Sequence, residues 1–399
     1  MVNEGRKAWI PMDQKSLDAL KLHQDHQGKL SIESVVPLKS KSDLALAYTP
    51  GVAAPCIEIN ADPEKVYQYT MKGRLVAIVT DGSAVLGLGN IGAKAAIPVM
   101  EGKAALLKTF ANVDGFPICL DTQDSDEIID AVVKIAPVFG AIMLEDIAAP
   151  KCVYIERKLQ EKLDIPVCHD DQHGTAMVVG AAMINAARFL IKPLNTQRVV
   201  ISGTGAAGSA ICRLLKALGV KTINAFNKQG IMTKKKYDDY DFVLKELLDE
   251  GIVDSIDNYT ADSLATLMKN ADAFIGVSAP NIVTVDMVRS MNSDAIVFAM
   301  ANPTPEIMPD LAIHGKAAVV GTGRSDFPNQ INNVLVFPGL YKGALEARLK
   351  VISMDTKINV SKALASLIAD EDLRSDYILP DIFDKRVTPT IVQAVVTGK

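Results

Sequence analysis

The stretch from Arg198 to Phe226 constrains this chain more than any other. A short apolar run, Arg198 to Ser202, leads into Gly203-Thr204-Gly205-Ala206-Ala207-Gly208. An amphipathic stretch follows, Ser209 to Leu218, and then a second run, Thr222 to Phe226. A GxGxxG string alone is weak evidence. A strand before it, a helix opening from it and a strand after it make the β-turn-α-β unit that the pattern requires. Gly203 permits the tight turn, Gly205 lets a ligand approach bare backbone, and Gly208 lets helix and strand pack closely. The free N–H groups of the helix start face an anion, so Gly203, Thr204, Gly205, Ala206, Ala207 and Gly208 are expected to cradle the pyrophosphate of a dinucleotide.

The same texture extends over most of the chain. Further short apolar runs end in Gly, Asp, Asn or Pro: Leu75 to Val79, Phe116 to Cys119, Ala141 to Leu144, Ala273 to Ile275, Ala295 to Ala299 and Ala318 to Val320. Such continuous runs fit strands buried on both faces of a parallel sheet. Helical patterns lie between and after them, so the fold class is α/β with parallel sheets. At 399 residues the chain exceeds one ordinary core, and two domains are expected. The long apolar helix candidate Thr175 to Leu190 sits between two alternating blocks, which places the boundary near residue 170. The expected division is 1–170, an N-terminal α/β catalytic domain, and 171–399, a Rossmann-like dinucleotide-binding domain with C-terminal helices.

Charge and composition narrow the partners. The net charge is −5, so nothing draws the chain in bulk to nucleic acid or anionic lipid. No apolar run reaches the ~18 residues of a membrane span. The polar opening, Met1 to Lys7, has neither an apolar signal core nor the Arg/Ser richness of a transit peptide, and the first ~30 residues suggest surface helix and turn. The five cysteines (Cys56, Cys119, Cys152, Cys168 and Cys212) are odd in number and show no metal spacing. They are expected to be small core residues in a reducing cytoplasm.

A second GxGxxG match, Gly87-Leu88-Gly89-Asn90-Ile91-Gly92, lacks the strand and acid that a dinucleotide site needs. It is expected to shape a turn near a substrate. Another glycine turn, Gly321-Thr322-Gly323, also lies at a strand end, where ligands sit in open α/β sheets. Two acidic pairs end apolar runs: Glu145-Asp146 after Ala141 to Leu144, and Asp170-Asp171 after Ile165 to His169. Adjacent carboxylates at buried strand ends are costly unless a cation lies between them, and oxygen-only ligands suit Mg²⁺ or Mn²⁺. Spacing alone leaves a metal site and solvated surface turns both open. His169 and His173 are four apart, but the residues between them and Gly174 suggest a turn, not a helix face.

The end of the second nucleotide strand bears on which dinucleotide is used. NAD sites place an acid there, ~20 residues after the glycines, to accept from the ribose 2′-OH. This chain has Asn227 followed by Lys228. An asparagine does not repel a 2′-phosphate, and the lysine suits one, so NADP is expected over NAD.

Several blocks together resemble one family, malic enzyme. They are Tyr48-Thr49-Pro50-Gly51-Val52-Ala53, Asp81 to Gly89, His169-Asp170-Asp171-Gln172-His173-Gly174-Thr175-Ala176, Ala301-Asn302-Pro303-Thr304-Pro305-Glu306 and Gly323 to Asn333. The likeness runs in one order from about Asp43 to Gly343, at the length of the short form. By position it implies Tyr48 as catalytic acid and Lys103 as base, with Asp170 pairing the lysine. It implies Glu145, Asp146 and Asp171 as ligands of Mg²⁺ or Mn²⁺, and Asn302 and Asn333 as substrate-binding residues. The long form has an arginine, thought to hold a malate carboxylate, where this chain has Ala84.

The implied reaction is oxidative decarboxylation of malate to pyruvate and CO₂ with reduction of NADP or NAD. Removing a hydride from C2 requires a base for the hydroxyl proton, and a lysine serves if a nearby divalent cation lowers its pKa. A cation would also polarise the new carbonyl. The family implies at least a homodimer. Two other readings stand beside this one: a malolactic-type enzyme that keeps its dinucleotide and releases lactate, and a dinucleotide-binding sensor without catalysis.

Overall fold

A computed structural model describes residues 13–85 and 87–398. Leu86 of the quoted blocks, and the part of the polar opening before residue 13, lie outside the described residues. Among the described residues, ten strands form two separate sheets. The first holds β1 (Leu75–Thr80), β2 (Asp114–Cys119), β3 (Ala141–Leu144) and β4 (Val167–His169) in the order β2-β1-β3-β4, all parallel. The second holds β5 (Arg198–Ser202), β6 (Thr222–Asn227), β7 (Gly230–Ile231), β8 (Ala273–Gly276), β9 (Ile296–Ala299) and β10 (Val319–Thr322). Their order is β10-β9-β8-β5-β6-β7, and only the short β7 runs antiparallel to its neighbour β6. Every residue of β1, β3, β8 and β9 is buried, as expected of apolar runs covered on both faces.

Each sheet reverses its strand order once, between β1 and β3 in the first and between β5 and β8 in the second. At such a point the helices leave the sheet to opposite faces and open a crevice beyond the strand C-termini. The two crevices receive the two groups of residues singled out above: Glu145-Asp146 follow β3, and the Gly203 turn follows β5.

The helix Asp170–Phe189 joins the two sheets. It is buried on all sides and built largely of Ala, Gly, Val and Met. The small residues allow close approach: a Cβ added at Gly180 would lie 3.0 Å from both Leu218 and Ser361. This helix corrects one expectation. His169 ends β4, and Asp170, Asp171, Gln172 and His173 form the first turn of the helix instead of a loop. Two carboxylates at a helix start meet the positive end of its dipole, which makes that start favourable despite Gly174.

The C-terminal part of the chain returns to the first sheet. The helix Phe337–Ala347 is buried, and the Tyr341 hydroxyl donates to the Cys168 carbonyl at 2.9 Å. By contrast the N-terminal helices Gln14–His26, Lys41–Ala47 and Ala53–Ala61 bury no residue. They leave Ile32, Val35, Leu46 and Ile57 exposed. This arm touches the helix Ala93–Ala111, where the Lys29 ammonium donates to the Pro98 carbonyl at 2.7 Å. All five cysteines are free; Cys152, Cys168 and Cys212 are core residues and Cys119 is half-buried, but Cys56 is exposed on the arm, contrary to expectation. No helix among the described residues is long and apolar enough to cross a membrane.

Candidate active site

Three elements of the first lobe converge beyond the β1/β3 reversal. The helix Ala93–Ala111 buries Ala96, Met100, Lys103, Ala104, Leu107 and Ala111, an i, i+4, i+7 stripe in which Lys103 occupies a core position. Its ammonium lies 2.5 Å from Asp170 Oδ2 and 3.0 Å from Glu145 Oε1. The same ammonium sits 4.6 Å from the centre of the Phe337 ring, on the returning C-terminal helix. Asp146 takes a left-handed backbone conformation (φ +54°), and its N–H donates to Asp171 Oδ2 at 2.9 Å. The turn thus binds the acid after β3 to the acid after β4.

The electrostatics of this cluster are those of buried acids sharing one lysine. Burial pushes the Glu145 carboxyl well above the usual carboxylate range, and the neighbouring Asp171, Asp170 and Asp146 add to that shift against the pull of Lys103. Asp170 is raised as well, again by burial first. Burial opposes the charge on Lys103, but Asp170, Glu145 and Asp171 outweigh it and hold the lysine above its ordinary value, as the ammonium. The carboxylates alone therefore do not lower the lysine toward neutral pH; added positive charge is required for that.

One oxygen each from Glu145, Asp146 and Asp171 lies within 4.8 Å of the others. Among the described residues, Glu145 Oε2 is buried without a hydrogen-bond partner. Such an oxygen is costly unless something positive meets it. An all-oxygen set of this kind fits a hard divalent cation such as Mg²⁺ or Mn²⁺.

The second crevice is shaped by glycine. Gly203 has φ +95°, and a Cβ there would lie 2.5 Å from the Val277 carbonyl oxygen. A Cβ at Gly208 would lie 1.8 Å from the Gly203 oxygen. At Gly205 it would meet nothing within 4 Å, so bare backbone faces open space beside the start of the helix Ala206–Ala217. That space suits a pyrophosphate. At the end of β6, Asn227 donates to Thr204 Oγ1 (3.1 Å) and accepts from the Gln229 N–H (2.8 Å), while Lys228 is exposed.

Asn302 follows β9, and Asn333 opens the short 3-10 turn Asn333–Leu335. A Cβ on Gly174 would lie 2.0 Å from Asp170 Oδ1 and 3.1 Å from Asn333 Cβ, so Gly174 makes room for the asparagine beside the acid cluster. Asn302 is exposed and lies between two glycine turns. A Cβ on Gly87 would lie 2.5 Å from its carbonyl oxygen, and one on Gly323 2.9 Å from its amide nitrogen. The looser glycine match thus shapes a turn against Asn302. Tyr48 stands apart. It is 66% exposed at the end of the helix Lys41–Ala47, and among the described residues no hydrogen bond or ion pair joins it to the Lys103 cluster. The Ala84 N–H is engaged by the Asp146 carbonyl at 2.9 Å.

Sequence reasoning missed Glu156, Phe337 and Tyr341. Glu156 is buried on the helix Lys151–Lys162, and its carboxylate accepts from the His169 N–H (2.9 Å) and meets His173 Nε2 at 2.9 Å. Burial opposes its charge, but His173, Lys357 and the His169 N–H bring its pKa down to about 2. The signal was present: Cys152, Ile155, Glu156 and Leu159 share one apolar face, and an acid in such a stripe needs a buried partner.

Comparison with known proteins bears on both lobes. The profile described as "Malic enzyme, N-terminal domain" matches residues 27–160, and that described as "Malic enzyme, NAD binding domain" matches residues 172–398. A bifunctional malic/malolactic enzyme of Bacillus subtilis is 50% identical over 378 residues, 95% of this chain and 91% of that protein. An NADP-dependent malic enzyme of Escherichia coli is 42% identical, over 96% of this chain and 52% of its own, longer one. The crystal structure of an NAD-dependent malic enzyme from Thermotoga maritima superposes with a TM-score of 0.90 at 43% identity, covering 95% of this chain and 99% of the other.

Proposed function

The chain belongs to the malic enzyme family, and from that premise we propose that it converts malate to pyruvate and CO₂ while reducing a nicotinamide dinucleotide. The observation that carries the proposal is the buried Lys103–Asp170–Glu145 cluster beside two further acids at the first strand-order reversal. Glu145, Asp146 and Asp171 would hold Mg²⁺ or Mn²⁺, and Gly203 to Gly208 the dinucleotide. When bound, these groups supply a Lewis acid for the substrate oxygens, a charge offsetting the acids around Lys103, and a hydride acceptor.

The protein's own groups then have distinct tasks. Lys103 takes the proton of the C2 hydroxyl, which frees the electron pair that drives hydride departure from C2. Asp170, 2.5 Å from the lysine nitrogen, aims that nitrogen and stabilises the ammonium that results. Asn302 and Asn333 donate to the substrate and fix its pose. Tyr48 delivers a proton to C3 after CO₂ leaves. Its arm, which exposes Ile32, Val35, Leu46 and Ile57, supports assembly as a homodimer, so the tyrosine is to be tested in the assembled enzyme. We place the division between the lobes near residue 170 and the enzyme in the cytoplasm.

The dinucleotide is read as NADP in preference to NAD. What supports this is the end of β6, where Asn227 occupies the usual position of the ribose-binding acid and Lys228 is exposed beside it. A malolactic outcome is kept as the second reading, since the B. subtilis relative carries both activities in its name.

One assay tests the whole. Malate, Mn²⁺ and NADP or NAD are supplied, reduced dinucleotide is followed by absorbance, and pyruvate and lactate are quantified. Cation-dependent accumulation of reduced dinucleotide with equimolar pyruvate is expected, faster with NADP. Lactate without accumulating reduced cofactor supports the malolactic reading. No turnover with either dinucleotide at saturating Mn²⁺ and malate refutes both.

A further inference from the structure

Glu306 is a buried acid that none of the tasks above uses. Its side chain is fully buried, in the segment that follows β9. Oε1 accepts from the Ser278 N–H at 2.8 Å and from the Ser278 hydroxyl at 3.3 Å, and Oε2 accepts from the Ala301 N–H at 3.0 Å. Among the described residues no cationic side chain lies within ion-pair distance of it. Burial raises its pKa, and the two backbone donors oppose that rise. An uncompensated carboxylate in this position costs stability, and a glycine is set aside for it: a Cβ on Gly276 would lie 2.4 Å from the Glu306 carboxyl carbon.

What the carboxylate joins is more telling than its burial. Ser278 closes over the dinucleotide turn. Its hydroxyl is 3.0 Å from that of Ser202, the residue before Gly203, and its Cβ is 3.0 Å from where a Gly203 Cβ would stand. Val277, its neighbour, packs the Gly208 position. Ala301, on the other oxygen, directly precedes Asn302. One carboxylate therefore spans the C-terminal ends of β8 and β9, with the dinucleotide turn on one arm and the substrate asparagine on the other. A carboxylate is suited to this because both oxygens accept, whereas an amide would turn a donor against one of the two N–H groups.

We propose that Glu306 is a positioning residue that sets the distance between the dinucleotide turn and Asn302, and so the alignment for hydride transfer. The inference rests on the malate-oxidising reading: the C2–H electron pair passes to the oxidised nicotinamide while the hydroxyl proton goes to Lys103. A misplacement of about 1 Å between reacting groups can cost about 10²-fold in rate.

The test compares Glu306→Gln and Ser278→Ala with the unaltered full-length enzyme. Four quantities are read: affinity for NADPH and NADH by their fluorescence, kcat, KM for malate, and the isotope effect with malate deuterated at C2. For Glu306→Gln, kcat falls roughly 10- to 100-fold while dinucleotide affinity and KM stay within about threefold, and the isotope effect rises because hydride transfer has become limiting. Ser278→Ala keeps the backbone donor and shows the same pattern on a smaller scale; it decides the matter if Glu306→Gln does not fold. Unchanged kcat, or a loss of dinucleotide affinity that matches the loss of rate with no change in isotope effect, overturns the inference. If the unaltered enzyme binds dinucleotide but does not oxidise malate, the reading of its function fails instead.

Discussion

Replacing Lys103 by methionine keeps the buried aliphatic stem and removes its charge. In the structure the ammonium lies 2.5 Å from Asp170 and 3.0 Å from Glu145, and both carboxylates are almost wholly buried. Removing one partner of a buried ion pair leaves the other uncompensated and costs about 3–5 kcal/mol. For a chain of 399 residues unfolding together, the entropy of unfolding converts each kcal/mol into about 1.2 °C, so Tm should fall by roughly 4–6 °C. The assay is thermal unfolding in chelator at pH 8. The loss should shrink as the pH is lowered toward 5. Burial already holds Glu145 and Asp170 above the usual carboxylate range, and without Lys103 they rise further. A carboxyl whose folded pKa exceeds its unfolded one binds more protons when folded, so its penalty develops as pH rises through that interval. Added Mn²⁺ should restore Lys103→Met more than it stabilises the unaltered protein, because it brings back positive charge among the same acids. Turnover should fall by roughly 10²–10⁴, the range for a positioned base. An unchanged Tm in chelator at pH 8, with equal Mn²⁺ shifts in both proteins, would refute the reasoning.

Three further outcomes are expected. Asp171→Asn should abolish turnover at ordinary Mg²⁺ or Mn²⁺ and leave NADPH binding nearly intact; normal turnover with normal Mn²⁺ affinity would remove Asp171 from the ligand set. Glu156 is held at about pKa 2, below its ordinary value, so its contribution is full above pH 4.5 and lost as pH falls toward 2. Glu156→Gln should therefore cost at most about 3 kcal/mol near neutrality, with the difference in Tm narrowing below pH 4.5; a pH-independent difference would contradict this. Asn227→Asp with Lys228→Ser should move the ratio of kcat/KM toward NAD. The new acid can keep the Gln229 N–H and accept from Thr204, so an unchanged ratio in a folded protein would mean that the β6 end does not set the choice.

The alternation of short apolar runs with glycine turns and helical stretches determined the α/β class, because a strand buried on both faces has no polar alternation to hide. The β-turn-α-β unit at Gly203 was legible for the same reason: each glycine answers a local steric demand, and the Cβ positions at Gly203 and Gly208 bear that out. Blocks such as His169 to Ala176 were legible as a resemblance, yet their local conformation was not. Gly174 argued for a turn, and burial of a whole helix between two sheets overrode it. Only the tertiary structure decided which acids share a lysine. Lys103 lies 67 residues from Asp170, and their meeting depends on the parallel register of β1, β3 and β4. The same holds for Phe337, which reaches Lys103 because the chain returns to the first sheet, and for Glu306, whose two N–H partners come from different strand ends. Local pattern reports what a segment can become, since backbone sterics and periodicity act over a few residues. A buried charge is settled by groups far away in sequence, because desolvation makes its energy depend on whichever partner the fold delivers.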